Sequence, residues 1–225
     1  INKMRKKMRL DKFLVEMGFG SRTEVKQLLK KKQVLVNGKI ETSAKVQIDE
    51  NQDEISVNNR VLVYERFVYY LLNKPKGVIS ATEDDKHRTV LDLLDENARQ
   101  KEVFPVGRLD IDTHGLLLLT NNGALAHAML SPKKHVAKVY RAKVDGIITE
   151  KDVEHFEAGI ELKDFTCQPA KLTILEVNEE QQTSLVEIII SEGKFHQEKR
   201  MVQACGKKVT DLERFSMGPR LCWMS

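Results

Sequence analysis

The sequence predicts an α+β protein in two parts, and three observations lead there. Strand-like and helix-like segments follow one another without a regular βαβ alternation, which argues against a doubly wound parallel sheet. Positive charge collects at one end: residues 1–39 hold 12 Lys/Arg against 3 Asp/Glu, residues 1–66 hold 15 against 9, and the rest holds 22 against 24. Composition shifts around residues 64–66, dividing a small basic unit, residues 1–66, from a larger near-neutral unit, residues 67–225. A basic module facing a polyanion, coupled to a second domain, fits that asymmetry.

In the small unit, Leu10, Phe13, Leu14 and Met17 fall at i, i+3, i+4 and i+7, the apolar stripe of a short helix that Gly18 and Gly20 end. Ser21 and Glu24 form a capping box that opens a second helix through Val25, Leu28 and Leu29. Lys26, Lys30, Lys31 and Lys32 lie on its polar face and at its C-terminal end. Residues 34–40 read as strand, Asn37-Gly38 turn, strand, and residues 54–57 as a further strand.

The larger unit opens on the apolar run 67–72, expected to be a buried strand, which Pro75 and Gly77 turn sharply. Val90, Leu91, Leu93 and Leu94 predict a short helix. The run Leu116-Leu117-Leu118-Leu119 predicts a core strand, closed by the turn Asn121-Asn122-Gly123. A helix at 124–130, strands at 138–144, 170–177 and 184–191, and a helix at 197–205 follow.

Composition excludes several classes of function. With 41% hydrophobic and 31% charged residues the chain is an ordinary soluble protein, and it has no apolar run long enough to span a bilayer. Its basic start is not followed by the apolar region of a secretory signal. The three cysteines, Cys167, Cys205 and Cys222, form no CxxC pair and are expected to be reduced thiols in a cytoplasmic protein. The six histidines make no metal-binding set, so no metal site is expected. The phosphate-binding, dinucleotide-binding and serine-hydrolase signatures are absent as well.

What remains is a carboxylate, a tyrosine and a cation. Asp110 sits in G-R-L-D-I-D-T at 107–113, beside Arg108 and just before the leucine strand. Tyr140 sits in K-V-Y at 138–140, and Lys199 in E-G-K-F-H-Q-E-K-R-M at 192–201. These three segments, with L-N-K-P-K-G at 72–77, resemble the motifs of the pseudouridine synthases. R-L-D-K-F-L at 9–14 and V-L-V-N-G-K at 34–39 likewise resemble an S4 RNA-binding domain. Within the superfamily, G-R-L-D-I-D-T, I-S-E-G-K-F-H-Q and Q-P-A-K-L-T-I-L-E resemble most the RsuA branch, which joins an S4 domain to the synthase and acts on small-subunit (16S) ribosomal RNA.

The resemblance implies a catalytic domain built on a mixed, mainly antiparallel sheet, and an isomerase without metal or cofactor. It implies Asp110 as the nucleophile or base, Tyr140 packed on the target uracil and Lys199 paired with Asp110. Arg108, Asn73, Lys74, His196, Gln197 and Arg200 would meet the substrate, and Arg9, Lys12, Arg22, Lys26 and Lys30 would contact phosphates. The implied partner is ribosomal RNA, 16S RNA in a small-subunit assembly intermediate, acted on by a monomer. The chemistry suits the residues: the reaction breaks a C–N glycosidic bond and makes a C–C bond to the same base, so a carboxylate can add covalently or remove a ribose proton. A neighbouring cation would keep that carboxylate ionised in a water-poor pocket.

Two departures stand out. Glu198 occupies a place where the family has Val or Ile, and could compete with Asp110 for Lys199 or point to solvent. The ending at 218–225 lacks the relatives' longer tail, pointing to a truncated or altered terminus. A large-subunit rRNA synthase, or a non-catalytic S4-type ribosome-assembly factor that keeps the synthase fold, are the alternative readings.

Overall fold

The structure, a computed structural model, describes residues 7–50, 52–64, 67–218 and 221. Residues 65 and 66 of the expected domain junction, Cys222 and most of the ending lie outside the described residues. The chain divides into two compact units, Ile1–Phe67 with Arg99–Lys101, and Val68–Ala98 with Glu102–Ser225.

In the first unit β1 (Met8–Arg9) runs into α1 (Leu10–Glu16), and α2 (Arg22–Lys30) follows. The capping box is present as predicted: Ser21 Oγ accepts from the Glu24 amide at 3.4 Å, and Glu24 Oε2 from the Ser21 amide at 2.7 Å. β2 (Val34–Val36) and β3 (Lys39–Ile40) form a hairpin through Asn37 and Gly38, both at positive φ as a primed turn requires. β4 (Gln47–Ile48), β5 (Ile55–Val57) and β6 (Arg60–Leu62) complete the unit. The sheet order is β3-β2-β5-β6, while β1 pairs β4. Leu10, Phe13, Leu14, Val25, Leu29 and Val34 meet Ile48, Ile55 and Val57 in one core, so α1 and α2 turn their polar faces outward. Sequence reading missed β6, whose Asn58-Asn59 turn also has two positive φ angles but carries no glycine to mark it.

The second unit comprises β7 (Tyr69–Lys74), α3 (Glu96–Gln100), β8 (Phe104–Pro105), β9 (His114–Thr120), α4 (Gly123–Leu130), β10 (Lys138–Asp145), α5 (Glu150–Ala158), β11 (Lys171–Asn178), β12 (Thr183–Ile190), α6 (Gln197–Ala204) and β13 (Lys208–Met217). Its sheet runs β11-β12-β10-β13-β9-β7, with β8 added on β9. Every pairing is antiparallel except β13 with β9, which makes the sheet mixed and mainly antiparallel.

β9 is buried on both faces. Leu117 and Leu119 enter the main core, whereas Leu116 and Leu118 pack with Val106, Ala126 and Met217 on the other side. At its start the backbones of β9 and β13 nearly touch: a Cβ on Gly115, at φ +105°, would lie 2.4 Å from the Arg214 carbonyl oxygen. Only glycine fits there.

Two expectations need correction, and two elements were missed. The run 67–72 is not a buried strand: β7 begins at Tyr69 and forms the sheet's edge, with Tyr69 and Leu71 facing outward. Continuous apolarity could not reveal that only one face is covered. The helix after residue 89 is a single 3-10 turn, Val90–Leu93. The longest strand, β13, was missed because Arg214 stands in its inward row between Leu212 and Ser216, hiding the apolar alternation. α5 was missed as well, although Thr149 and Asp152 form a capping box at its start.

Candidate active site

The loop at 109–113 is clamped from beneath by the end of β7 and the segment that follows it. Lys74 Nζ donates to the carbonyls of Pro75 (3.0 Å), Asp110 (3.0 Å) and Thr113 (2.8 Å). The Gly77 amide donates to Ile111 O at 2.7 Å, and Ser80 Oγ both donates to the carbonyl and accepts from the amide of Leu109. Lys74 is fully buried. Burial draws its pKa down to about 8, against the pull of Asp110 and Asp112. Expected to meet substrate, it instead lies under the loop with its ammonium directed at main-chain oxygens.

Above that clamp the Asp110 carboxylate meets α6. Lys199 Nζ donates to Asp110 Oδ2 at 3.1 Å and to Asp112 Oδ1 at 2.6 Å, and His196 Nε2 stands 3.4 Å from the same Oδ2. Among the described residues Asp110 Oδ1 has no hydrogen-bond partner. One oxygen is thus anchored by Lys199 and His196 while the other is free. Partial burial opposes the Lys199 charge, but its hydrogen bonds to Asp112 and Asp110 outweigh that and hold its pKa above the ordinary lysine value. The Lys199 bond in turn lowers the pKa of Asp112.

Tyr140, on β10, is buried beside Glu198 and Arg214. Burial pushes the tyrosine pKa far up and Glu198 adds to that, so the phenol is neutral. Glu198 follows neither expectation drawn from sequence. It is buried rather than solvent-facing, and it makes no ion pair with Lys199. The first turn of α6 turns consecutive side chains about 100° apart, aiming Lys199 at Asp110 and Glu198 at Tyr140. Burial raises the Glu198 pKa and the Asp110 charge raises it further, while Tyr140 and Arg214 oppose both. Arg214 itself is only 2% exposed, and its Nε donates to Leu116 O at 2.8 Å.

The other expected site residues divide. His196 is at the carboxylate. Gln197 is buried, its amide bridging Glu192 Oε2 (2.7 Å) and the Lys194 amide (3.0 Å), so it shapes the loop rather than facing substrate. Arg200 pairs with Asp164 and donates to Phe195 O. Arg108 and Asn73 are exposed, and Arg108 has no ion pair among the described residues. In the first unit Arg9 forms a two-pronged pair with Asp11, and Lys12 lies 3.7 Å from Glu16. Arg22, Lys26 and Lys30 are exposed at i, i+4 and i+8 on one face of α2, with no ion pairs among the described residues. Sequence reading missed Asp112 and Arg214. Asp112 lies two residues from Asp110, a signal that was available; the inward Arg of β13 gave none.

A cleft of about 770 Å³ opens beside Lys199 and Asp112 and runs past Gly206, Lys207 and Lys208. Asp110 and Tyr140 do not line it, so it borders the carboxylate rather than enclosing it. No group of three or more His, Cys, Asp or Glu side chains suited to a metal occurs among the described residues, nor any helix long and apolar enough to cross a membrane.

Comparison with known proteins shows the family. The model of the RNA pseudouridylate synthase family matches residues 68–204, and that of the S4 domain residues 8–61. An uncharacterized RNA pseudouridine synthase of Bacillus subtilis is 44% identical, covering 94% of this chain and 88% of its own length. The ribosomal large subunit pseudouridine synthase B of the same organism is 41% identical over 92% and 84%. The ribosomal small subunit pseudouridine synthase A of Escherichia coli is 36% identical over 94% and 89%. A solved pseudouridylate synthase, 34% identical, superposes with a TM-score of 0.63 over 96% of this chain and 91% of that one. The chain belongs to the RNA pseudouridine synthases, isomerases of uridine, and carries an S4 domain ahead of the synthase domain.

Proposed function

We propose that this chain isomerises a uridine of ribosomal RNA to pseudouridine, with Asp110 as the group that attacks the nucleoside or removes its ribose proton. The observation that carries the reading is the divided environment of the Asp110 carboxylate: Oδ2 is held by Lys199 and His196, and Oδ1 is left open. An anchored carboxylate with one free oxygen is prepared for either route. Lys199 orients it, and the neutral Tyr140 supplies an aromatic surface on which the detached uracil can turn before rebonding. Arg108, exposed beside the loop, is placed to hold the extruded nucleotide's backbone. Arg22, Lys26 and Lys30 supply phosphate contacts that position the RNA without reading its sequence.

The preferred substrate is 16S RNA in a small-subunit assembly intermediate, on the strength of the loop and α6 motifs and the small-subunit relative. The higher identity of the large-subunit relative favours a second reading, 23S RNA. Pseudouridine mapping of both rRNAs from a strain lacking the gene separates them: one 16S position should lose its modification, and a loss confined to 23S would transfer the assignment. Complementation with Asp110→Asn should not restore the missing pseudouridine, although the purified variant should bind RNA within a few-fold of wild type. Restoration would remove Asp110 from its assigned role.

A further inference from the structure

Phe195 is the most conspicuous side chain that this reaction leaves unexplained. It is 73% exposed, yet the loop that displays it is tightly fixed. Glu192 anchors that loop, its carboxylate accepting from the Gln168 amide (3.0 Å) and Gln197 Nε2 (2.7 Å) and its carbonyl from Lys138 Nζ (2.9 Å). The Lys194 amide is held by Gln197, and Arg200 reaches the Phe195 carbonyl. His196 adopts the left-handed conformation (φ 48°, ψ 34°), a strained choice for a residue with a side chain and one that concentrates at functional sites. A rigid loop that exposes a phenyl ring forgoes the burial that ring could have had.

The ring's placement says what it can receive. One face of Phe195 stacks on His196, with centroids 3.8 Å apart and planes 17° from parallel. His196 in turn reaches Asp110 at 3.4 Å. The stack therefore leads outward from the reacting carboxylate and ends on an open aromatic face. It adjoins cations rather than a wider apolar surface: Lys194 is exposed beside it, and Lys194 and Arg200 lie 5.9 and 5.3 Å from the neighbouring Phe165 ring. The acidic groups here are already engaged: Asp164 pairs with Arg200, and the Glu192 carboxylate accepts from Gln168 and Gln197. A single flat ring among cations suits a flat, phosphate-bearing partner better than an apolar protein surface.

We infer that Phe195, backed by His196, is a stacking platform for an unpaired nucleobase adjoining the target uridine, with Lys194 placed to meet the accompanying phosphate. This rests on the reading of Asp110 as the reacting group. When the target nucleotide is drawn to Asp110, its neighbour loses a stacking partner, and the open phenyl face replaces it.

The test uses the full chain and short single-stranded RNAs centred on uridine, with the fluorescent base 2-aminopurine beside the uridine or four nucleotides away. Stacking quenches this base. Wild type should quench the adjacent probe and not the distant one. Phe195→Ala should lose most of that quenching and bind the RNA about tenfold to a hundredfold more weakly, whereas Phe195→Trp should retain both. On unmodified ribosomal RNA the same alanine variant should raise KM by a similar factor with kcat within about twofold. Its melting temperature should stay unchanged, because the side chain is exposed. Equal quenching and equal KM in wild type and Phe195→Ala would overturn the platform and leave the ring to another occupant, such as a protein partner. So would a wild type that quenches neither probe. A Phe195-dependent quench from a protein that makes no pseudouridine in rRNA would keep the platform and sink the functional reading instead.

Discussion

The cations of α2 and those around Asp110 are the same residue types put to opposite uses. Arg22, Lys26 and Lys30 stand in solvent on one helix face, where each can meet a phosphate and none is required to hold the fold. Lys74 and Arg214 are buried, each directed at main-chain oxygens, and Lys199 joins two carboxylates. Exposed charges act over distance and are weakened by salt, whereas buried ones act by geometry and are not. The first unit can therefore tolerate loss of one cation, and the second cannot.

The sharpest way to break that comparison is Lys74→Met, which keeps the length of the side chain and removes its charge. Three carbonyls beneath the Asp110 loop would lose their donor. We expect about 3 kcal/mol or more of stability to go, since buried groups left unpaired are costly. A shift of the loop by about 1 Å should lower kcat about a hundredfold. RNA affinity should hold within a few-fold. The pH dependence has a definite sign. The folded-state pKa of Lys74, about 8, lies below the ordinary 10.5, so across that interval the unfolded chain binds more protons at this residue. Its contribution to wild-type stability therefore rises from about pH 8 to about pH 10.5. Denaturant titrations of both proteins should show the gap between them widening through that window, and a gap that stays constant or narrows would show that the partners of the ammonium outweigh its burial.

The exposed set predicts a smaller effect of a different kind. Changing Arg22, Lys26 and Lys30 together to Gln should weaken RNA binding about tenfold near physiological salt. It should also reduce the slope of log affinity against log salt by about 2, since each lost phosphate contact removes roughly 0.7–0.9. At saturating RNA, kcat should not move. An unchanged slope in filter-binding titrations would mean that this face of α2 is merely solvated.

This contrast also explains what the sequence could and could not disclose. The α2 cations were readable because helix periodicity puts residues 22, 26 and 30 on one face and the capping box marks where that face begins. The segments carrying Asp110, Tyr140 and Lys199, the residues proposed for the reaction, were readable locally, since the G-R-L-D loop, K-V-Y and the α6 segment each carry their own pattern. The support beneath them was not. Lys74 and Lys76 are two residues apart in one turn, and nothing local says that the first is buried under Asp110 while the second reaches Asp211. Arg214 is a buried cation in a strand row, where periodicity expects an apolar residue; its role depends on β13 lying beside β9, a pairing set by chain segments about 100 residues apart. Side chains that bond to distant main-chain atoms leave no periodic trace.

Glu198 offers the smallest effect and the finest discrimination. From sequence it could have drawn Lys199 away from Asp110, in which case Glu198→Val would raise the rate. In the structure Lys199 already bonds both Asp110 and Asp112, while Glu198 faces Tyr140 and Arg214. The valine variant should therefore not accelerate the reaction. It should instead lower stability by about 1–3 kcal/mol, because the polar groups of Tyr140 and Arg214 buried beside it are left facing an apolar side chain. Glu198→Gln keeps the shape and the hydrogen-bonding capacity, so its kcat should stay within about threefold of wild type. The titration again fixes a sign. Burial holds the folded-state pKa of Glu198 above its ordinary 4.5, so the folded protein binds more protons here, and this residue's contribution to stability falls as pH rises from there through the raised value. Glutamine does not titrate. Relative to wild type, Glu198→Gln should thus gain stability as pH is raised from about 4.5 toward neutrality. A faster Glu198→Val enzyme would restore the competition with Asp110, and a Gln variant that loses ground with rising pH would mean that the carboxyl is held ionised by Arg214.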